Sequence, residues 1–371
     1  MLFITVIVAL SLLYAIKILR YRIGWDKISQ LEVNVFTPKL SVIIALRNEE
    51  SQVLRLITEL KKQLYPTDKY QVIIINDHSE DSTLELLNKE VKCWRNLKLL
   101  SMNEGEYGKK KAIVKGIKSA SGEIIISTDA DCSFNANWLK KMVSYFYNEK
   151  IKLLSGPVGF HQKRGLFHSL QTLEFFSLIG SGAGAIGIGR SIFCNGANMA
   201  YRKDVFMEVN DFANDKVVSG DDVFLLHRVK QKYPNGIAFA KDEDAIVLTN
   251  PETSFKSLLN QRKRWTAKSC SFNDWHTLYT SLLVLFTNLL TIVLFVFSFV
   301  NLHYLNYFLS FMFVKFLVDL ILLTPVLGFF KRKDLIKWIL PFEMFYSLCI
   351  VLIVILSFTN PFEWKRRVHR R

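Results

Sequence analysis

Residues Glu123–Asp131 read EIIISTDAD and place two acids directly after a run of three isoleucines. Such a run is typical of a strand that is covered on both faces. Two earlier segments repeat the pattern, Leu40–Leu46 (LSVIIAL) and Gln71–Asp77 (QVIIIND), and helical segments separate the three. Strands that alternate with helices predict a mainly parallel sheet, in which ligands bind beyond the carboxyl ends of the strands.

Polar residues follow all three predicted strands. They are Arg47, Asn48 and Glu49 after the first, Asn76, Asp77 and His78 at the second, and Asp129 and Asp131 after the third. An Asp-x-Asp turn supplies the hard oxygen ligands that Mg²⁺ or Mn²⁺ prefers, with a substrate phosphate completing the shell. Such a turn by itself is more often a solvated pair of acids. Its place after a buried strand, with Asp77 on a neighbouring strand, favours a metal site.

Composition excludes several classes of protein. The 371 residues are 50% hydrophobic and 22% charged, which excludes a disordered chain. The formal net charge of +15 fits either a nucleic acid or an anionic membrane surface. Because basic clusters flank apolar spans and no zinc-finger, RNP or helix-turn-helix motif occurs, we expect no nucleic-acid partner. The five cysteines are scattered without CxxC spacing, which predicts reduced thiols.

Apolar segments at both ends predict a membrane protein. Met1–Ile16 carries no charge and basic residues follow it at once, which favours a membrane anchor over residues 1–22 rather than a cleaved signal peptide. Thr277–Val300 is uncharged and long enough to cross a bilayer, and two further apolar segments follow. We therefore expect a transmembrane region over residues 275–360 and a basic tail over residues 361–371.

Charged residues complicate the predicted membrane topology. Lys315 and Asp319 are four residues apart in the second C-terminal span, which predicts an ion pair ahead of a substrate path. Basic clusters at residues 331–333 and in the tail both belong in the cytoplasm under the positive-inside rule. One full crossing lies between them, so we hypothesise that the segment with Pro341 and Glu343 is re-entrant or interfacial.

Two features are interpreted as having no catalytic role. Gly182–Gly187, GAGAIG, matches the GxGxxG pattern, but an amphipathic helical segment precedes it instead of a strand. This context argues against a dinucleotide site and predicts a flexible loop of small residues. His161 and His227 have no partner at metal-ligand spacing, so we interpret both as structural.

Seven ordered motifs connect the central region to a known family. They are Pro38–Glu50, Ile75–Thr83, Gly108–Ala112, Thr128–Asp131, Asn195–Arg202, Ser219–Asp222 and Gln261–Trp265, the last reading QRKRW. Together they resemble the family 2 inverting glycosyltransferases that are embedded in membranes. Ala45 and Val114 depart from this pattern, where proline and asparagine are common. The resemblance implies an α/β fold of the GT-A type, Rossmann-like, over residues 38–268, with one N-terminal and about three C-terminal membrane helices.

The resemblance also implies roles for individual residues. Asp222, with Asp221 beside it, is the expected general base, and Asp129 and Asp131 are the expected ligands of Mg²⁺ or Mn²⁺. The expected donor-binding residues are Arg47, Glu49, Asp77, Lys109, Asp129 and Arg264. The expected acceptor-binding residues are Asn195, Asn198, Tyr201, Gln261 and Trp265.

These assignments have structural alternatives. Lys109 also fits a solvated Lys109–Lys111 face, and Asp221 or Asp222 fits a helix cap. Trp265 fits an anchor at the membrane interface, and the asparagines fit turns.

The resulting functional hypothesis is a membrane-bound inverting glycosyltransferase. It transfers a sugar from a nucleotide-sugar donor, expected to be UDP-linked, to a hydroxyl of a lipid-linked or saccharide acceptor. We expect it in a bacterial inner membrane with the catalytic domain cytoplasmic. Two alternatives remain open: a polyprenyl-phosphate sugar synthase, whose anionic acceptor needs no base, and a non-catalytic membrane scaffold that binds nucleotides.

Overall fold

The computed structural model describes residues 1–29, 36–209, 221–269, 274–359, 362–364 and 367–369. The helices are α1 (Leu2–Lys27), α2 (Val53–Lys61), α3 (Thr83–Cys93), α4 (Lys109–Lys118), α5 (Trp138–Ser144), α6 (Leu166–Gly187), α7 (Lys203–Val209), α8 (Asp221–Lys232), α9 (Phe255–Ser269), α10 (Trp275–Ser298), α11 (Leu302–Phe329) and α12 (Ile339–Thr359). The strands are β1 (Leu40–Leu46), β2 (Tyr70–Asn76), β3 (Leu97–Ser101), β4 (Ile124–Ser127), β5 (Ser133–Phe134), β6 (Leu153–Ser155), β7 (Val158–Phe160), β8 (Met199–Arg202), β9 (Ile237–Phe239), β10 (Val247–Thr249), β11 (Phe362–Trp364) and β12 (Arg367–His369). Single 3₁₀ turns lie at Tyr145–Tyr147, Glu243–Ala245 and Lys333–Trp338.

The chain divides into two compact units. The α/β unit comprises Ile28–His161 and Phe193–Asn250. The helical unit comprises Met1–Lys27, Gln162–Ile192 and Pro251–Arg371. The helices α6 and α9 therefore group with the apolar terminal helices, although all of α6 and all but the last residue of α9 lie within residues 38–268. The domain boundaries drawn from the sequence stay predictions.

The α/β unit is built on a seven-stranded sheet in the order β3-β2-β1-β4-β8-β6-β9. Strands β3, β2, β1 and β4 are parallel, whereas β8 is antiparallel to both of its neighbours. A smaller sheet has the order β5-β10-β7. The isoleucine-rich strands are buried along almost their whole length, as expected for strands covered on both faces. The predicted α/β fold with a mainly parallel sheet is confirmed.

The helical unit contains an unusually close pair of helices, α1 and α6. A Cβ atom added at Gly184 would meet the carbonyl oxygen of Tyr21, and one added at Gly24 would meet that of Gly184. Gly187 faces the carbonyl of Gly24 in the same way. Small residues let two backbones approach, which is typical of helix contacts in membranes. The GAGAIG stretch is thus part of α6, and the expected flexible loop is wrong because this contact overrides the low helix propensity of glycine.

Gly184→Ala tests this contact. We expect the variant to lose about 1–3 kcal/mol of stability, the usual effect of overpacking, because the facing atom belongs to the backbone and cannot turn aside. Gly328→Ala in α11 is the matched control, since its added Cβ would meet only the flexible Lys333 side chain, at 3.4 Å. Thermal unfolding of both variants in detergent checks the prediction. Equal melting temperatures would contradict it.

Four described helices are long and apolar enough to cross a membrane, judged by length and composition: Phe3–Lys27, Trp275–Ser298, Leu302–Phe329 and Lys333–Ser357. The expected arrangement of one N-terminal and three C-terminal apolar helices is confirmed. A re-entrant segment must turn back on itself, and α12 runs unbroken for 21 residues. This continuity argues against a re-entrant α12, and the topology hypothesis stays a prediction.

Buried charges connect three of these helices. The Lys315 Nζ donates to Asp319 Oδ2 at 3.0 Å and also to the Glu343 carboxylate. The Tyr14 hydroxyl donates to Asp319 Oδ1 at 2.8 Å. Charges within an apolar helix bundle require such partners, and the predicted Lys315–Asp319 ion pair is confirmed. Only the backbone of β11 and β12, an antiparallel pair, is described in the predicted tail.

Candidate active site

The register of the sheet brings three strand ends to one edge. Leu46 at the end of β1 pairs with Asn76 at the end of β2, and Ile43 pairs with Ser127 at the end of β4. The polar segments that begin at residues 47, 77 and 128 therefore leave the sheet on the same side. Ligands of parallel sheets bind at this edge, as the sequence predicts.

The Asp-x-Asp turn follows β4 and is held by hydrogen bonds. The Lys109 Nζ lies 2.5 Å from Asp129 Oδ1, so Lys109 faces this acid rather than solvent. The Thr249 hydroxyl donates to Asp131 Oδ2 at 2.7 Å, and Thr128 donates to the Ala197 carbonyl at 2.8 Å. Burial, together with the nearby charge of Asp129, raises the pKa of Asp131 above its ordinary value. Two acids and one lysine thus share a small polar site.

The residues at this turn fit a divalent cation only in part. Two carboxylates are hard oxygen ligands of the kind that Mg²⁺ and Mn²⁺ use with water and phosphate. Among the residues that the structure describes, no three His, Cys, Asp or Glu side chains gather into a metal-binding group. The donor set therefore fits a cation that a substrate phosphate helps to hold, and not a closed protein cage.

The loops after β1 and β2 are joined to each other. The Asp77 carboxylate accepts from the Gly108 N–H at 3.0 Å and lies 3.1 Å from His78 Nδ1. The Arg47 guanidinium donates to Glu80 at 2.9 Å, and the Glu49 N–H donates to Thr83 Oγ1 at 2.8 Å. Through these contacts the loop after β1, the loop after β2 and the start of α4 form one polar surface. Arg47, Glu49, Asp77 and Lys109, all expected at the donor, belong to it.

The Asp222 carboxylate is held at the start of α8 by two backbone amides. Its Oδ2 accepts from the Gly196 N–H at 3.0 Å, and its Oδ1 accepts from the Val223 N–H at 2.8 Å. The second bond goes to the next residue in the first turn of α8, so it is not an N-cap bond to an amide two or three residues on. A carboxylate has about four lone-pair sites, so these two bonds leave room for a further partner. The Asp221 side chain lies outside the described residues.

Three predicted acceptor residues follow Cys194 in the chain. Asn198 is fully buried; its Oδ1 accepts from Trp138 Nε1, and its Nδ2 donates to the carbonyls of Pro157 and Ala245. Tyr201 is also buried and stacks on Phe206 with ring centroids 5.5 Å apart. These contacts assign both side chains to the packing of the unit, and an acceptor role for either stays a prediction.

Asn195 accepts from the Ala197 N–H at 3.0 Å and so shapes the turn that carries Gly196. His161, interpreted as structural, lies with its Nε2 3.1 Å from Ser133 Oγ.

Gln261, Arg264 and Trp265 lie on α9 in the helical unit. The Gln261 amide donates to Glu252 at 2.9 Å, and the Trp265 ring lies 6.3 Å from that of Phe175.

The sequence motifs did not predict a buried ion pair that includes one residue of Gln261–Trp265. Arg262, at a variable position of QRKRW, donates to both carboxylate oxygens of Glu174 at 2.6 Å. The signal was present, since Glu174 is the single acid in α6, which contains no Lys or Arg. An isolated acid in such a helix needs a buried partner.

Comparison with known proteins identifies the family. Residues 41–209 match the profile described as Glycosyl transferase family 2. This segment is a glycosyl transferase family 2 domain. This family assignment covers the three strand ends, the Asp-x-Asp turn and the segment around Gly196, so the polar edge of the sheet lies in the glycosyltransferase domain.

Several curated relatives are glycosyltransferases. The chain is 28% identical over 237 residues to Glycosyltransferase AglE of Haloferax volcanii, covering 61% of this chain and 71% of that protein. It is 32% identical over 123 residues to a Nostoc beta-monoglucosyldiacylglycerol synthase, covering 33% and 26%. It is 28% identical over 233 residues to a Staphylococcus epidermidis poly-beta-1,6-N-acetyl-D-glucosamine synthase, covering 61% and 53%. The last two alignments span less than two thirds of those relatives.

A solved structure shares the fold of this chain. The mannosyltransferase PcManGT from Pyrobaculum calidifontis, in complex with GDP-Man and Mn²⁺, superposes with a TM-score of 0.62. The match covers 96% of this chain and 98% of that one at 15% identity. At this identity the likeness shows the fold alone, which is GT-A-like.

Proposed function

We propose that this glycosyltransferase is an inverting enzyme of the cytoplasmic face of a membrane. It transfers a sugar from a nucleotide-sugar donor, UDP-linked in our proposal, to a hydroxyl of a lipid or growing saccharide. The observation that carries the proposal is the polar edge of the α/β unit. There Asp77, Asp129 and Asp131 follow the ends of parallel strands, and Lys109 at the start of α4 contacts Asp129. A further carboxylate, Asp222, is held in the same unit.

The donor side must bind a nucleoside diphosphate that leaves with negative charge. We assign Asp77 to the base and Lys109 to the diphosphate, where fixed positive charge stabilises the developing charge. Arg264 keeps, in our proposal, the donor-binding role that the family resemblance implies. A bound Mg²⁺ or Mn²⁺ would neutralise the leaving diphosphate. Asp129 and Asp131 would hold that cation. The solved neighbour binds GDP-Man with Mn²⁺, which supports a nucleotide sugar and a cation for this fold.

Arg47 and Glu49 complete the proposed donor side. Both lie on the loop after β1, which is joined to the Asp77 loop through Glu80 and Thr83. A change of conformation in one loop therefore shifts the other, so we expect both residues to act on donor affinity rather than on the acceptor.

The acceptor side needs a group that removes a proton from a hydroxyl. We assign this role to Asp222, because a carboxylate within hydrogen-bond reach serves as a general base. Amides of Gly196 and Val223 hold the carboxylate in place and leave lone pairs for the acceptor hydroxyl. A single displacement opposite the leaving diphosphate inverts the anomeric centre. Asp221 is a neighbouring candidate that the test of Asp222 also addresses.

The membrane and α9 suggest the class of acceptor. Trp265 offers a flat apolar face for a sugar ring, and Gln261 offers an amide for its hydroxyls. One relative is named for synthesis of a glycolipid and another for synthesis of a polysaccharide. Four helices that suit a membrane make a lipid or membrane-held saccharide the acceptor that we propose.

A panel of nucleotide sugars tests the proposal. Protein in nanodiscs is incubated with each donor, Mg²⁺ or Mn²⁺, and lipid or saccharide acceptors, and mass spectrometry identifies the product. We expect one sugar to be added, with NMR showing inversion at the anomeric carbon. Absence of both transfer and hydrolysis across the panel would refute the proposal in favour of a nucleotide-binding scaffold.

A further inference from the structure

Glu174 on α6 and Arg262 on α9 form a two-pronged ion pair in the helical unit. The Arg262 Nε and Nη2 donate to the two carboxylate oxygens, each at 2.6 Å. Both side chains are buried. This planar geometry fixes the orientation of the guanidinium as well as its position.

Arg262 in turn contacts the two motif residues assigned to the acceptor. Its guanidinium carbon lies 4.2 Å from the centroid of the Trp265 ring, within the range of a cation–π contact. Its Nη1 donates to the side-chain Oε1 of Gln261, and the Gln261 Nε2 donates to Glu252 at 2.9 Å. The orientations of the Trp265 ring and of the Gln261 amide therefore both depend on the plane of the Arg262 guanidinium.

We propose that Glu174 is a positioning residue for acceptor binding. It holds the Arg262 guanidinium in the plane that orients the Trp265 ring and the Gln261 amide toward a saccharide. The inference rests on the proposed function, in which Trp265 and Gln261 contact the acceptor.

The energetics favour positioning over mere attachment of α6 to α9. Apolar side chains of similar volume would join two buried helices at least as well, because desolvation offsets much of the attraction in a buried ion pair. Lysine would supply the charge but not the planar fork or the stacked face. A buried arginine fork between α6 and α9 is explained when the orientation of its neighbours is what matters.

Glu174→Gln tests the proposal, since it keeps the size of the side chain and removes its charge. We expect the acceptor KM to rise by up to about 100-fold, the scale of a 1 Å misplacement, with the donor KM unchanged. A selective rise in the acceptor KM reports lost binding of that substrate. The control is Asp334→Asn, which alters another two-pronged arginine–carboxylate pair of the same unit, with Arg332. It should leave the acceptor KM unchanged.

A double variant separates positioning from stability. Glu174→Leu with Arg262→Met removes both charges, so the folded protein should be as stable as the wild type. We expect its acceptor KM to stay raised, because nothing orients Trp265. A double variant with the wild-type acceptor KM would overturn the proposal, and so would a Glu174→Gln variant whose donor and acceptor KM rise equally.

A readout without turnover keeps the inference separate from the proposed function. Hydroxyl-radical footprinting with mass spectrometry measures the exposure of Trp265 in wild type and Glu174→Gln. We expect its oxidation to change several-fold in the variant, and an unchanged value would overturn the positioning role. If the wild type transfers no sugar in the donor panel, the proposed function fails, whereas the footprint still decides whether Glu174 orients Trp265.

Discussion

Asp222→Asn is expected to keep donor affinity and to lower kcat about 10²- to 10⁴-fold, the range that general-base catalysis contributes. The amide cannot take up a proton, and its single oxygen can accept from only one of the two N–H groups that bond to Asp222, so the variant also loses either the Gly196 or the Val223 bond. Calorimetric titration with the donor and a single-turnover assay measure the two quantities separately.

Asp204→Asn is the matched control for Asp222. Asp204 at the start of α7 accepts from the Val205 N–H at 2.7 Å, which reproduces the bond of Asp222 to the Val223 N–H. A kcat loss confined to Asp222→Asn identifies the base, and equal losses would assign Asp222 to a structural role at the start of α8. Undiminished transfer to a polyprenyl phosphate would instead favour the phosphate acceptor, which needs no base.

Asp131→Asn is expected to weaken metal-dependent donor binding by more than about 100-fold, because even residues outside the first shell of a metal change affinity by about 10–100-fold. The described residues supply only two acids at this turn, so one remaining carboxylate cannot hold the cation with the diphosphate. Titration of a nucleoside diphosphate with and without Mn²⁺ measures the effect.

Removal of the metal provides the second half of this test. EDTA should abolish turnover of the wild type, and added Mn²⁺ or Mg²⁺ should restore it. Asp204→Asn again serves as the control and should bind donor and metal as the wild type does. Full activity in EDTA, or equal metal-dependent affinity of Asp131→Asn and wild type, would refute the metal role of the turn.

Much of the sheet was predictable from local patterns. The predicted first strand, Leu40–Leu46, has the bounds of β1, and the acids after Ile124–Ile126 lie at the expected edge. These features were accessible because runs of β-branched residues determine both strand formation and burial within a few residues. The Lys315–Asp319 pair was accessible for a similar reason, since a spacing of four places two side chains on one helix face.

Local sequence patterns did not predict contacts between distant segments. Glycine propensity predicted a loop at Gly182–Gly187, whereas close packing against α1 makes this stretch helical. The acceptor role that the family resemblance implies for Asn198 stays a prediction, but its bonds to Trp138, Pro157 and Ala245 could not be read from the motif. A motif specifies residue types at a spacing, and it carries no information about which polar atoms the core already uses.

The sequence by itself determined the fold class, the apolar helices and the acids at the strand ends, because hydrophobic period and short spacing are local properties of a chain. Only the tertiary structure decided how those residues are held. The Asp222 carboxylate meets Gly196, 26 residues away, and Arg262 meets Glu174, 88 residues away. Burial requires each such polar group to find a partner, and the complete fold selects which distant group is within reach.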